Sequence, residues 1–204
     1  MRESVRVAVQ LEPGAKMPFC ASDDASGYDV FAHEDATILP GQTALVSTGI
    51  RMAMPPFLEA QVRPRSGLSL RTKLRIANAP GTIDADYRGL VAVLCENTAS
   101  LTDPVATLIA HPAWLDDFHE RFRPMPASQF VRERFDIEWP FGLPDPTIYL
   151  DHDGDPLGTI KIRAGERIAQ LIFMDVVHPE LVAVDDVTAI GRDRGGGFGS
   201  TGAY

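Results

Sequence analysis

Apolar residues recur at every second position in short runs along most of this chain, and turn dipeptides cut each run before it lengthens. Val5, Val7, Val9 and Leu11 alternate with polar residues, as do Leu58, Ala60 and Val62, and again Val91, Val93 and Cys95. Successive side chains of a strand point to opposite faces, so this parity describes half-buried strands rather than helices. Pro13-Gly14, Pro40-Gly41, Pro55-Pro56, Pro80-Gly81 and Ala164-Gly165 supply the punctuation, because glycine and proline set the backbone angles that tight turns need. Short strands separated by turns predict an all-β sandwich or barrel. With 204 residues there is enough chain for one such domain and an elaboration.

The elaboration is residues 98–156. This stretch holds 11 acidic and 4 basic side chains, a net of −7 out of −9 for the whole chain, and with them both tryptophans, 8 of the 16 aromatic residues and 8 of the 16 prolines. It reads as an acidic, aromatic insertion in a β-domain built from 1–97 and 157–204. Trp114, Leu115, Phe118 and Phe122 share one face at helical spacing, predicting a short helix over about 111–123. Ser128 is placed to cap a second helix that runs through Phe135. Asp151-His152-Asp153-Gly154-Asp155 looks like the start of a calcium loop, but its twelfth position is Ile162 instead of glutamate, so an acidic turn is expected. His111, His119 and His152 have no zinc-ligand spacing.

Charge and composition exclude several classes. A net charge of −9 argues against a nucleic-acid binder, which needs a basic surface to neutralise phosphates. No apolar run approaches the length of a membrane span, and the alternating N-terminal residues do not form a signal-peptide core. A soluble protein of the cytoplasm, or of the host cytoplasm for a viral chain, is expected. Cys20 and Cys95 make neither a disulfide framework nor a zinc site and read as buried thiols.

Five segments are richer in glycine, charge and hydroxyls than a strand core demands. The first is Ala21–Asp29, a turn with carboxylates. In the second, Arg63–Leu68, guanidinium, hydroxyl and a glycine backbone stand side by side and suit phosphate oxygens. The third, Asn78–Gly89, reads as a hairpin carrying Asp84, Asp86 and Tyr87; its main chain suits a base edge, its tyrosine a sugar and its carboxylates a water. Asp84 and Asp86 would share a side on a regular strand. The fourth, Arg163–Ile172, places the amide of Gln170 between apolar neighbours, where it needs a hydrogen-bond partner. The fifth, Arg192–Gly202, is a glycine-rich arm with Phe198 for stacking and Ser200, Thr201 and backbone amides for phosphate.

In this order the five segments resemble the five motifs of the trimeric deoxyuridine triphosphatase (dUTPase) family, over roughly residues 3–97 and 157–204. The resemblance implies a jelly-roll β-barrel, assembled as a homotrimer whose three active sites each draw on three chains, and hydrolysis of dUTP to dUMP and pyrophosphate with Mg2+. By position, Asp84 is similar to the catalytic aspartate that orients the attacking water. Arg65, Ser66 and Gly67 resemble the phosphate-binding turn, and Asn78, Gly81, Thr82 and Ile83 the hairpin that reads uracil. Tyr87 resembles the tyrosine that packs on deoxyribose and excludes a 2′-hydroxyl. Asp29 and Gln170 resemble residues that meet the metal through water, Gln170 also reaching the phosphates. Arg194, Phe198, Gly199, Ser200 and Thr201 resemble the arm that closes over the nucleotide.

The sequence departs from the family pattern in three places. Asp193 stands where the last motif usually begins with arginine, so the γ-phosphate contact is assigned to Arg194 in preference to Arg192. Leu90 follows the Arg-Gly of the third motif, where the family often has a polar residue. The third departure is the insertion itself. Two other functions compete. A dCTP deaminase of the same superfamily would need a glutamate on the strand after the hairpin, where Leu94 stands and Glu96 is two residues on. A nucleotide-gated regulatory protein would use 98–156 to bind a protein partner.

Overall fold

The structure, a computed structural model, describes residues 5–192. Nine strands form two antiparallel sheets. The four-stranded sheet has the order β1 (Ala8–Leu11), β5 (Thr43–Ala53), β9 (Val91–Asn97), β7 (Leu74–Ile76). The five-stranded sheet has the order β2 (Phe19–Cys20), β3 (Tyr28–Phe31), β13 (Arg167–Asp175), β6 (Leu58–Arg63), β8 (Gly81–Ile83). A ribbon of β4 (Ala36–Ile38) with β12 (Ile160–Ile162) joins them at one side. This is the all-β, jelly-roll type of architecture that the alternation predicts.

The core lies between the sheets. Strand β9 shows the expected parity, with Val91, Val93 and Cys95 inward, and β6 does the same with Leu58, Ala60 and Val62. Val30, Val46, Ile50, Ile168 and Leu171 complete the packing. Burial pushes the Cys95 thiol up to about 12, so it stays protonated as an apolar core group. Cys20, by contrast, is only half-buried. The first run behaves differently from its neighbours: Val5, Val7 and Val9 line an open apolar groove of about 560 Å³ with Met17, Tyr28 and Phe173.

The insertion builds a second apolar cluster beside the barrel. A helix α2 (Pro104–Ala110) starts at Asp103, whose carboxylate accepts from the N–H groups of Val105 and Ala106. Asp103-Pro104 is the capping residue and first-turn proline of a helix start, a signal the aromatic spacing downstream obscures. The single helix expected over 111–123 is instead a 3-10 turn, Pro112–Leu115, and a short helix α3 (Phe118–Arg121). Asp116 and Asp117 interrupt it, since aspartate competes poorly for helix interiors, but Trp114, Phe118 and Phe122 still pack together. Strands β10 (Arg123–Pro126) and β11 (Thr147–Leu150) form a ribbon around α4 (Ala127–Phe135). Ser128 is not the cap of α4; it sits inside the first turn and donates its N–H and hydroxyl to Asp145, at 2.8 and 2.6 Å. Those donors hold the Asp145 carboxyl below the usual carboxylate range. Met125, Phe130, Ile148 and Leu150 are buried together against Leu39 of the barrel.

Asn97 joins barrel and insertion. It is fully buried, and its amide donates to the carbonyls of Ile38 and Gly158 at 2.9 and 2.8 Å while its oxygen accepts from Ala99 N–H. One side chain therefore fixes the place where the chain leaves β9 and the place where it returns. Close by, Lys161 donates to Asp151 and Asp153 and lies 3.0 Å from Asp155. These three carboxylates form the acidic cluster found among the described residues, and the ammonium occupies its centre. The turn expected at 151–155 is present, and Lys161 is the counter-charge of its three carboxylates. No helix among the described residues is long and apolar enough to cross a membrane.

Two stability results follow. Asn97→Leu leaves two buried carbonyls and an N–H unpaired, and urea unfolding will show a loss of about 3 kcal/mol. Lys161→Met will lower the thermal midpoint at neutral pH. Lys161 holds the Asp153 carboxyl below its ordinary value, so the stabilisation is present above the unfolded pKa of about 4. It is lost as pH falls through the lower folded value, and the gap between the two midpoints will close on acidification.

Candidate active site

Strand β13 is the centre of the site because it pairs on both sides. Its register places Gln170 opposite Asp29 of β3 and opposite Arg63 of β6, so three polar residues from three separate segments form one row across the sheet. A β-bulge between Arg167 and Ala169 shifts the register. Ile168 and Ala169 are both buried as a result, and Arg167 is turned to the same face as Gln170. Bulges serve this end by re-aiming a side chain.

Asp29 is held between two guanidinium groups. Arg65 donates from Nε to Oδ1 at 2.8 Å and from Nη2 to Oδ2 at 3.4 Å, and Arg167 donates from Nη1 to Oδ2 at 3.1 Å. One carboxylate between two arginines leaves a positive charge in excess; Arg65 Nη1 also donates to the Arg167 carbonyl at 3.4 Å, and the guanidinium N–H groups beyond these bonds suit phosphate oxygens. Arg65 also precedes α1 (Ser66–Arg71), where a turn was expected. Leu68 and Ser69 N–H groups bond back to Arg65 carbonyl, so Ser66 and Gly67 have no helical partner for their own N–H groups. Gln170 finds the partner it needs: Nε2 donates to Pro64 carbonyl at 2.9 Å. Its Oε1 lies against Gly27, where a Cβ would overlap that oxygen and stand 3.2 Å from Cδ.

The hairpin forms a second group. Gly81, Thr82 and Ile83 pair with Val62, Gln61 and Ala60 of β6. The Asn78 amide folds over Gly81, 2.9 Å from where a Cβ would be. Strand β8 stops at Ile83, so Asp84 and Asp86 lie in the following turn rather than on a regular strand. They nevertheless line one cleft of about 460 Å³ with Glu59 and His178. Tyr87 closes the turn through its N–H to Asp84 carbonyl, and its phenol donates to Leu90 carbonyl at 3.0 Å.

Within one chain the two groups do not converge. β3, β13, β6 and β8 are successive strands, which puts Asp29 about 14 Å from the hairpin strand, while Arg63 at the other end of the row is on β6, the neighbour of β8. Among the described residues no side-chain hydrogen bond or ion pair connects Asp29, Arg65, Arg167 or Gln170 with residues 78–87. Arg194, Phe198, Gly199, Ser200 and Thr201 lie outside the described residues. Arg167 and Arg63 were not singled out by sequence: at a spacing of three, regular strand parity puts Arg167 on the face opposite Gln170, and only the bulge aligns them. Glu96 is in register with Thr43 and Arg75, whereas Leu94 carbonyl accepts from Ala77 at the hairpin.

Comparison with known proteins identifies the family. The family model described as dUTPase matches residues 14–105 and 157–202, leaving most of the insertion unmatched. A deoxyuridine 5'-triphosphate nucleotidohydrolase of Anaeromyxobacter is 34% identical over 198 residues, covering 97% of this chain and 95% of that protein. One from Picosynechococcus is 31% identical over 194 residues, covering 95% and 96%. Among solved structures, the dUTPase of Staphylococcus bacteriophage 80alpha with dUpNHpp superposes with a TM-score of 0.67 at 26% identity, covering 97% of this chain and 99% of that one. With most of its barrel matched by the family model and its whole length shared with such relatives, the chain belongs to the dUTPase family of hydrolases.

Proposed function

We propose that this enzyme hydrolyses dUTP to dUMP and pyrophosphate in a homotrimer whose active sites are divided between chains, with Mg2+ on the phosphates. The observation that carries the reading is the separation within one protomer. Asp29 with its two arginines and a hairpin with a carboxylate placed for catalysis stand about three strand spacings apart. A second copy that lays its hairpin on the Asp29 row completes the site. Two further features support an assembly. The groove lined by Val5, Val7 and Val9 is open, and beyond β13 the chain exposes Val177, Leu181, Val182, Val187 and Ile190. Apolar surface on that scale marks contact with another chain.

In this reading Arg65, Arg167, Ser66, Gly67 and Gln170 hold the triphosphate. The main chain from Asn78 to Ile83 binds uracil, Tyr87 packs on the sugar, and Asp84 orients the water that attacks the α-phosphorus. The C-terminal arm, with Arg194 and Phe198, closes the site. Catalysis then rests on positioning and on fixed charge around an in-line displacement. The residues present fit a magnesium ion. Asp29 retains lone pairs beyond its arginine bonds, and Gln170, its register partner on β13, brings a second oxygen donor in Oε1. Such oxygen donors suit a cation that keeps most of its waters. Mg2+ bound there supplies charge neutralisation on the phosphate oxygens. The barrel of 1–97 and 157–204 carries the chemistry, and 98–156 packs on its side. Acting in the cytoplasm, or the host cytoplasm for a viral chain, the enzyme keeps uracil out of DNA and supplies dUMP.

Pyrophosphate release from dUTP, dCTP, dTTP and UTP with Mg2+ tests the reading. Release from dUTP alone is expected, with Asp84→Asn lowering kcat by about a thousandfold while KM stays close to its starting value. Chelation of divalent ions will abolish turnover. Ammonia release from dCTP, or tight dUTP binding without turnover, would overturn the assignment.

A further inference from the structure

We propose that Gly89 sets the sugar specificity of the site by giving Tyr87 the place it occupies. The inference rests on the reading of Tyr87 as the residue against the deoxyribose. The tip of the Tyr87 ring occupies the space beside Gly89 where a side chain would begin: a Cβ there would overlap Oη and stand 2.5 Å from Cζ and 2.9 Å from Cε2. Its phenol donates to Leu90 carbonyl at 3.0 Å. The ring is thus fixed at two points, a bare glycine beneath it and a main-chain acceptor at its tip. Because that acceptor is a backbone carbonyl, the apolar side chain of Leu90 is compatible with the anchor.

The contact has a defined consequence. Gly89 lies outside the left-handed region, so an alanine there meets no backbone strain. The three atoms nearest to such a Cβ all belong to the far end of a half-exposed side chain, and tyrosine swings where a buried backbone would not. Alanine at 89 therefore leaves the fold intact and moves the ring. A ring that excludes a 2′-hydroxyl by occupying its space loses that function when displaced, since discrimination of this kind depends on close contact.

The test is the ratio of kcat/KM for dUTP to that for UTP in Gly89→Ala, Tyr87→Phe and Tyr87→Ala, with thermal midpoints measured alongside. In Gly89→Ala the ratio falls by roughly tenfold with little change in midpoint. In Tyr87→Phe, which keeps the ring and removes the anchor, it falls less. A wild-type ratio in Gly89→Ala, together with a lowered one in Tyr87→Ala, would overturn the role of Gly89. A wild-type ratio in Tyr87→Ala would overturn the reading of Tyr87 itself.

Discussion

The pairing of β13 with β3 on one side and β6 on the other is the constraint on which the site depends. Gln170 faces Asp29 and Arg63 only because these three strands are antiparallel neighbours in one register. A slip of one residue would turn every side chain of β13 to the opposite face, exchanging Leu171 of the core with Gln170 of the surface. Core packing therefore enforces the chemistry. Ile168, Ala169 and Leu171 are buried, and their burial fixes where Arg167 and Gln170 emerge. The bulge between Arg167 and Ala169 adds the second arginine to Asp29 without disturbing the inward residues that follow.

The insertion is tied to the same scaffold by a different kind of contact. Asn97 ends β9 in the core and bonds the carbonyl of Ile38, the carbonyl of Gly158 and the N–H of Ala99. A buried amide with all its partners satisfied is specific in a way that apolar contacts are not. Lys161 does similar work at the surface, neutralising the acidic turn of the returning chain. Both lie near the junctions of the insertion, on the four-stranded sheet and the β4–β12 ribbon. The Asp29 row is on the other sheet. An enlarged stretch thus joins the barrel without entering the sheet that carries Asp29 and Gln170.

Much of this was legible in the sequence. Strands β6, β9 and β13 follow from alternation, because one face of each is buried and parity then has a physical cause. The phosphate turn and the hairpin were visible as glycine, hydroxyl and charge placed where strands end. What stayed hidden was non-local. Nothing near Arg167 announces that a bulge turns it toward Asp29, and nothing near Ser128 shows that Asp145 arrives to accept its hydroxyl. The aromatic spacing of 111–123 described a packed face correctly and a continuous helix wrongly, since Asp116 and Asp117 break the backbone while leaving the rings together.

The proposed division of the site between chains accounts for the distance between its two halves in one protomer. Asp29 lies on β3 and Asp84 follows the end of β8, three strands away in the same sheet, so their separation is built into the strand order. The most direct test is to co-refold two inactive variants, Asp84→Asn and Arg65→Ala, each tagged so that mixed trimers are isolated. If hairpin and phosphate row come from different chains, one of the three sites in each isolated mixed trimer is intact, and dUTP hydrolysis returns to roughly a third of wild type. Mixed assemblies as inactive as their parents would contradict a shared site and place the whole reaction within one chain.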